Sequence, residues 1–308
     1  TMGKHETSIY RKVIITFTVI LLGVLILVGA VVNRFCMSFI KEQRITYNTQ
    51  VLGEVEYEFK ELYMQMNQLL TSLGEISYTA PLDESTFQKI KADVEFEDSI
   101  QNMVYLNGFN NFCEGVLFYD SEEELHYVGT GPLTKGYSFS DDEYFSGITT
   151  EMSYCAVIGP MPEQYKPEHI QKNTVVGFSK RKMGKQVEGS LPPFVMVAVK
   201  FNKIEEMLDK LLSTNTGFFL MDQTGALLDS ASLSSLNWSD ETLNEAKKKI
   251  LKNQEHTQTI SKDGILLTSI RLNNYGWILS VADSEEVLFK DINHLTRTVE
   301  LLIGIVGS

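Results

Sequence analysis

With 308 residues, 43% hydrophobic and 22% charged, the chain has the composition of a globular protein of one or two domains, not of a disordered one. Its net charge of −13 excludes nucleic acid as a partner, because phosphate binding needs a basic face, and it sets the bulk of the chain against an anionic membrane surface. Three cysteines, Cys36, Cys113 and Cys155, have no metal-ligand spacing and are too few for a disulfide framework; Cys113 and Cys155 are open either to pairing or to burial as small apolar side chains.

The first element is an uncharged run from Val13 to Val32, interrupted only by Thr16, Thr18, Gly23 and Gly29. At ~1.5 Å rise per residue, a helix of that length matches a hydrocarbon core of about 30 Å. Val28-Gly29-Ala30 loosely resembles a signal-peptidase site. The apolar run is longer than a signal core of about 7–15 residues, and a helical pattern continues past it, so the sequence predicts an uncleaved anchor. Lys4, Arg11 and Lys12 against Glu6 place residues 1–12 in the cytoplasm and the remainder outside it, at the cell membrane.

Residues 33–78 lack proline and read as a stalk helix with apolar residues at Ile45, Leu52, Val55, Phe59, Leu62, Met66, Leu69 and Leu73. From Leu52 the spacing alternates three and four, which suits either a coiled-coil seam in a homodimer or docking on the chain's own domain. The lower part is expected to serve the dimer and the upper part the domain. Pro81 ends that helix, and a second helical pattern over about 85–106 carries Phe87, Ile90, Val94, Ile100 and Val104 on its apolar side. Short strands follow at 115–120, 125–128, 153–159, 174–182 and 194–201, with a short helix near residue 140 and a connecting helix at 202–213. The pattern then restarts with strands at 216–222 and 226–231, a helix at 240–252, and strands at 265–272 and 277–283. Hairpin-linked strands with helices beside them give an α+β fold class. The implied division is a membrane-distal domain at 79–201, a membrane-proximal one at 214–286, and an exit helix over 287–308 that opens a second apolar segment.

Several segments together carry a family resemblance: GVLFYD (115–120), FSDDEYFSG (139–147) ahead of Gly159-Pro160, VVGFSKRK (175–182), FVMVAVKFNKIEEML (194–208), TGFFLMDQTGALLDS (216–230) and YGWILSVADSEEVLF (275–289). Their order and spacing resemble the double Cache (dCache) extracytoplasmic sensor domains of bacterial receptors, among them sensor histidine kinases, chemoreceptors and membrane-bound transcription regulators. The resemblance runs from Asn33 to about Leu295. It implies two tandem PAS-like antiparallel-sheet domains on a transmembrane and stalk helix, the distal domain holding a ligand and the proximal one transmitting.

In that family the segment matching FSDDEYF often contributes an arginine and an aromatic that clamp an amino-acid carboxylate. Here Asp142 stands in the arginine's place, while Tyr144 and Phe145 keep the aromatic pair. An acid at that position points toward an amine, a sugar or a hydrated cation. Ser140-Asp141-Asp142-Glu143 also reads as a capping box, which accounts for Asp141 and Glu143 without a ligand. Tyr119, Tyr137, Tyr154 and Phe178 complete the candidate pocket wall, since ligand pockets are mostly apolar and aromatic with a few orienting polar groups. Lys180 and Arg181 read as solvated. No nucleophile elbow, zinc motif or paired CxxC is present, and Tyr137 stands where the phosphate loop at Gly131–Gly136 would need lysine. His5, His126, His169, His256 and His294 lack ligand spacing.

The expectation is therefore a non-enzymatic, cofactor-free sensing module for a small polar metabolite. Any output module would lie beyond residue 308. A membrane-anchored structural or adhesive ectodomain is the alternative, and an anchored hydrolase ranks third.

Overall fold

The structure, a computed structural model, describes residues 3–76, 86–121, 124–129, 155–158, 176–180, 194–212, 216–231, 233, 239–290, 292–294 and 298. Among these, one helix dominates. α1 runs unbroken from Gly3 to Gly74 and contains both the apolar run and the stalk. Its Val13–Val32 stretch is exposed along nearly its whole length, with Phe17 at 67%, and none of it is buried against the described residues. Thr16 and Thr18, the polar residues inside the run, return their hydroxyls to the carbonyls of Lys12 and Ile14, which removes their need for water.

Above the apolar run, α1 becomes a wall shared by two sheets. Strands β1 (Cys113–Ser121), β2 (Glu124–Gly129), β3 (Cys155–Ile158), β4 (Val176–Lys180) and β5 (Phe194–Val199) form the distal sheet in the order β2-β1-β5-β4-β3. Strands β6 (Thr216–Asp222), β7 (Leu227–Ala231), β8 (Thr257–Lys262), β9 (Ile265–Leu272) and β10 (Trp277–Ser284) form the proximal sheet in the order β7-β6-β10-β9-β8. Every pairing is antiparallel, and the two orders are the same path traced twice. The repeated sequence pattern is thus a repeated topology.

Leu52, Val55, Phe59, Leu62, Met66, Leu69 and Leu73 are all at most 3% exposed, and they join one apolar cluster with Val116, Phe118, Val195, Val197 and Val199 of the distal sheet and Phe218, Leu220, Trp277, Leu279 and Val281 of the proximal one. The alternating stripe therefore packs inside the chain and does not serve as a seam between copies. At about 1.5–3 kcal/mol for each large side chain buried, this stripe is the largest single hydrophobic term in the stalk. Helix α2 (Thr86–Leu106) adds Phe96 and Ile100 to the same cluster, Phe96 meeting Phe118 edge-on at 5.1 Å between ring centroids. Val94, expected on the apolar side, is 50% exposed; the face is set by Phe96, Ile100 and Val104 at helical spacing, two residues out of step with Val94.

Helix α3 (Phe201–Leu208) and the tight turn Asp209–Leu211 connect the sheets, seating Ile204, Met207, Leu208 and Leu211 in the shared cluster while Lys210 pairs with Glu58 of α1. Helix α4 (Asp240–Lys252) begins at Ser239, whose hydroxyl accepts from the Thr242 N–H, and carries acids in its first turn and lysines in its last, as the helix dipole favours. It closes the far face of the proximal sheet with Ala246 and Ile250 over Phe219, Met221, Ile265, Leu267, Ile278 and Ala282. Helix α5 (Glu285–Leu288) opens the outgoing segment behind its cap, Ser284.

One strand was not anticipated. β8 reads as polar coil in TQTISK, but Asp263-Gly264 after it is a two-residue hairpin turn with φ of 51° and 76°, the left-handed pair that such turns need. Cys113 is a free, buried thiol. It lies on β1, while Cys155 lies on β3 with β5 and β4 between, and strands about 4.8 Å apart put that pair well outside disulfide reach.

Candidate functional site

The distal sheet has two different faces. Period-two alternation sends Val116 and Phe118 of β1, and Val195, Val197 and Val199 of β5, toward α1 and α2. The intervening residues, Leu117 and Tyr119 with Phe194, Met196 and Ala198, face the other way. They are at most 1% exposed, yet belong to neither apolar cluster that α1, α2 or α4 closes. The register sets Leu117 opposite Met196 and Tyr119 opposite Phe194. The Tyr119 and Phe194 rings stack with centroids 4.9 Å apart and planes 18° from parallel. The result is an aromatic and thioether floor with one phenol, of the composition that small-ligand pockets use.

Of the residues the sequence predicts for the ligand, Tyr119 is in this floor. Phe178 occupies the β4 register position opposite Met196 on one side and Ala156 on the other, so the pairing brings it to the same rows of the sheet. Tyr137, Asp142, Tyr144, Phe145 and Tyr154 lie outside the described residues. The predicted short helix near 140 does too.

Among the clefts on the described surface, the two larger ones and a small one at Arg44, Asn48 and Val51 contain no predicted ligand residue. One of about 280 Å³ lies between α2 and the start of β1, lined by Ile100, Val104, Tyr105, Glu114 and Lys200 among others. Lys200 there donates to the Asn110 carbonyl at 2.5 Å. Cys113 borders it, but burial pushes its thiol up to about 12, with Glu114 adding to the shift against Lys200 and a weak bond to the Gly115 carbonyl, so the sulfur stays protonated and inert. The second cleft, about 190 Å³, sits where α1 meets the β9–β10 turn, at Glu56, Lys60, Asn273 and Asn274.

A constellation that sequence reasoning missed lies at the foot of the proximal sheet. Asp283 of β10 is 4% exposed. Arg44 Nη2 donates to its Oδ1 at 2.5 Å and Asn48 Nδ2 to its Oδ2 at 2.6 Å. One turn lower on α1, Lys41 Nζ donates to Glu285 Oε1 at 2.8 Å and to Ser261 Oγ at 2.7 Å, while the Ser261 hydroxyl donates to the same Glu285 oxygen. Partial burial pushes the Glu285 carboxyl up, but the bonds from Lys41 and Ser261 and the Lys41 charge outweigh it and hold the group below the usual carboxylate range. The signal was present in two places. Asp283 falls on the same alternate positions as Trp277, Leu279 and Val281, and Asn48 precedes Leu52 by four on the apolar stripe.

No protein-family model matches the chain, and no curated protein sequence does. Solved structures do. The sensory domain of the Campylobacter jejuni chemoreceptor Tlp3 is similar with a TM-score of 0.54 at 10% identity, covering 82% of this chain and 98% of that one. The ligand-binding domain of Mlp24, solved with asparagine, has a TM-score of 0.51 at 13% identity, covering 85% and 99%. The extracellular domain of the inferred histidine kinase soHK1S-Z6 has 0.54 at 13%, covering 82% and 98%. The fold is that of the bacterial receptor sensory domains, a helix carrying antiparallel sheets. The described residues carry the fold that the Cache resemblance implied, one strand order used in both sheets on a shared α1.

Proposed function

We propose that the chain is the extracytoplasmic sensing module of a membrane-anchored bacterial receptor, binding a small polar metabolite on the distal sheet and passing the signal along α1 and the outgoing segment. The observation that carries this reading is the continuity of α1: one helix is an exposed apolar rod at its start and the common wall of both sheets further on. Any change in how the distal sheet sits on that wall is carried toward the apolar run without a hinge. The charge asymmetry around the run supports a cytoplasmic N-terminus.

The distal floor supports the ligand position. Tyr119, Phe194, Met196 and Leu117 offer an apolar bed with a single phenol, and Phe178 shares their rows. Tyr137, Asp142, Tyr144, Phe145 and Tyr154 complete the proposed wall, with Asp142 selecting a cationic or polyhydroxyl group. The proximal sheet supports the transmitting role, because its far face is filled by α4. Structures of similar fold were solved with isoleucine bound and with asparagine, which supports a ligand of metabolite size here. The module works by binding alone. Two copies pair along the stalk face left open by the packing, where Tyr47, Tyr57 and Met64 are exposed at heptad-like spacing with Gln50, Glu54 and Gln68.

The test is a thermal-shift screen of the full chain in nanodiscs against amines, sugars, amino acids, organic acids and divalent cations. One chemical class is expected to raise Tm by several degrees, and Asp142→Asn to weaken that class selectively. A screen in which every class leaves melting unchanged favours the adhesive or structural ectodomain instead.

A further inference from the structure

Directional hydrogen bonds tie α1 to β10 at both ends of the strand. At the upper end the Tyr275 hydroxyl, just before β10, donates to the Phe59 carbonyl at 2.6 Å. At the lower end Asp283 takes Arg44 and Asn48. Between them the contact is apolar, with Phe59 against Tyr275 and Trp277, and Val55 and Leu52 in the same cluster as Leu279 and Val281. Apolar surfaces tolerate a slide along a helix; a buried carboxylate does not, because leaving it unpaired exacts its full desolvation.

We propose that Asp283 is a register latch, which holds the outgoing strand at one height on the stalk through Arg44 and Asn48 and so sets where the segment from Glu285 onward leaves the domain. The residues on that face of α1 make the latch one-sided. A step of about 5.4 Å, one helical turn, toward the C-terminus of α1 would set the carboxylate against Asn48 and Leu52, exchanging the Arg44 cation for an apolar side chain and leaving one neutral donor. The same step toward the N-terminus would set it against Lys41 and Arg44, both cations. Displacement of β10 is therefore permitted in the direction of the apolar run and resisted in the other. Lys41, Ser261 and Glu285 act with it, since Glu285 is the first residue of α5 and its N–H donates to the Gly264 carbonyl at 2.7 Å, binding the strand end to the β8–β9 turn.

The consequence for signalling rests on the sensing reading, but the latch is measurable without a ligand, so its failure leaves that reading standing. The full chain is reconstituted in nanodiscs with Cys36 and Cys155 changed to serine and nitroxides on cysteines introduced at Glu42 and Lys290, both exposed. Pulsed electron resonance is expected to give one narrow distance with the latch intact. Asp283→Asn, nearly isosteric, turns an amide N–H toward one of the two donors and is expected to add a second distance several ångströms away. The triple variant Arg44→Met, Asn48→Leu, Asp283→Leu replaces the latch with apolar packing and is expected to broaden the distribution further. A single unshifted narrow distance in either variant, with native circular dichroism, overturns the proposal.

Discussion

Cys113, Glu285 and Gly276 show how much a single position can carry in this chain. Cys113 is buried and its thiol is pushed up to about 12, so alkylation at pH 8 should leave it unmodified in the folded chain and reach it only after denaturation; ready labelling in the native state would contradict the packing described for β1. Glu285 is held below the ordinary carboxylate range by Lys41 and Ser261, so its contribution to stability is present above its unfolded pKa and is lost as pH falls through the lower, folded value. Glu285→Gln should therefore flatten the acid limb of a Tm-versus-pH curve and leave neutral pH less stable than the parent, and an unchanged acid limb would remove the ion pair from the account. Gly276 has φ +67°, and a Cβ there would lie 2.8 Å from Gln223 Nε2, so Gly276→Ala is expected to cost about 1 kcal/mol or more through backbone strain, measured by chemical denaturation. At this scale the sequence was legible where chemistry repeats. GVLFYD was read as a buried strand and Tyr119 within it is fully buried, whereas Asp283 was passed over because a carboxylate at the end of WILSVAD reads as the polar end of a strand until its partners on α1 are seen.

At the scale of elements, α1 is the piece whose period could be read but whose partner could not. An alternating three-four stripe is the same in a coiled coil and in a helix docked on sheets, and only the burial of Leu52 through Leu73 within the chain decides it. Leu62→Ala or Leu69→Ala should cost about 2–5 kcal/mol, because both side chains are buried in the cluster that α1 shares with the sheets and its packing limits collapse of the cavity. Tyr57→Lys, on the exposed side, should leave folding within about 0.5 kcal/mol and act instead on association measured by sedimentation. α4 was legible to the residue because its cap, acids and lysines all agree. β8 was not, since an edge strand with polar alternation carries its signal in the Asp263-Gly264 turn and not in its own side chains. α2 was placed correctly, with Ile100 and Val104 on the packed side as expected, but Phe96 and not Val94 completes that face.

For the whole molecule, the physical claim is that two sheets of identical path are threaded on one helix, the proximal one closed on its far face by α4 and the distal one carrying on its far face the buried aromatic layer where the ligand is proposed to bind. On the proposed function, that architecture would divide binding from transmission. It also means that ligand can favour one state only by its differential affinity for the two, so the response is bounded by the binding energy gained at the distal face. The most direct measurement is hydrogen–deuterium exchange on the full chain in nanodiscs, with and without the compound that most raises Tm. The account predicts added protection concentrated in residues 113–119 and 194–199, with residues 216–222 and 265–272 protected less or not at all. Protection confined to the proximal strands, or none in either sheet, would contradict it.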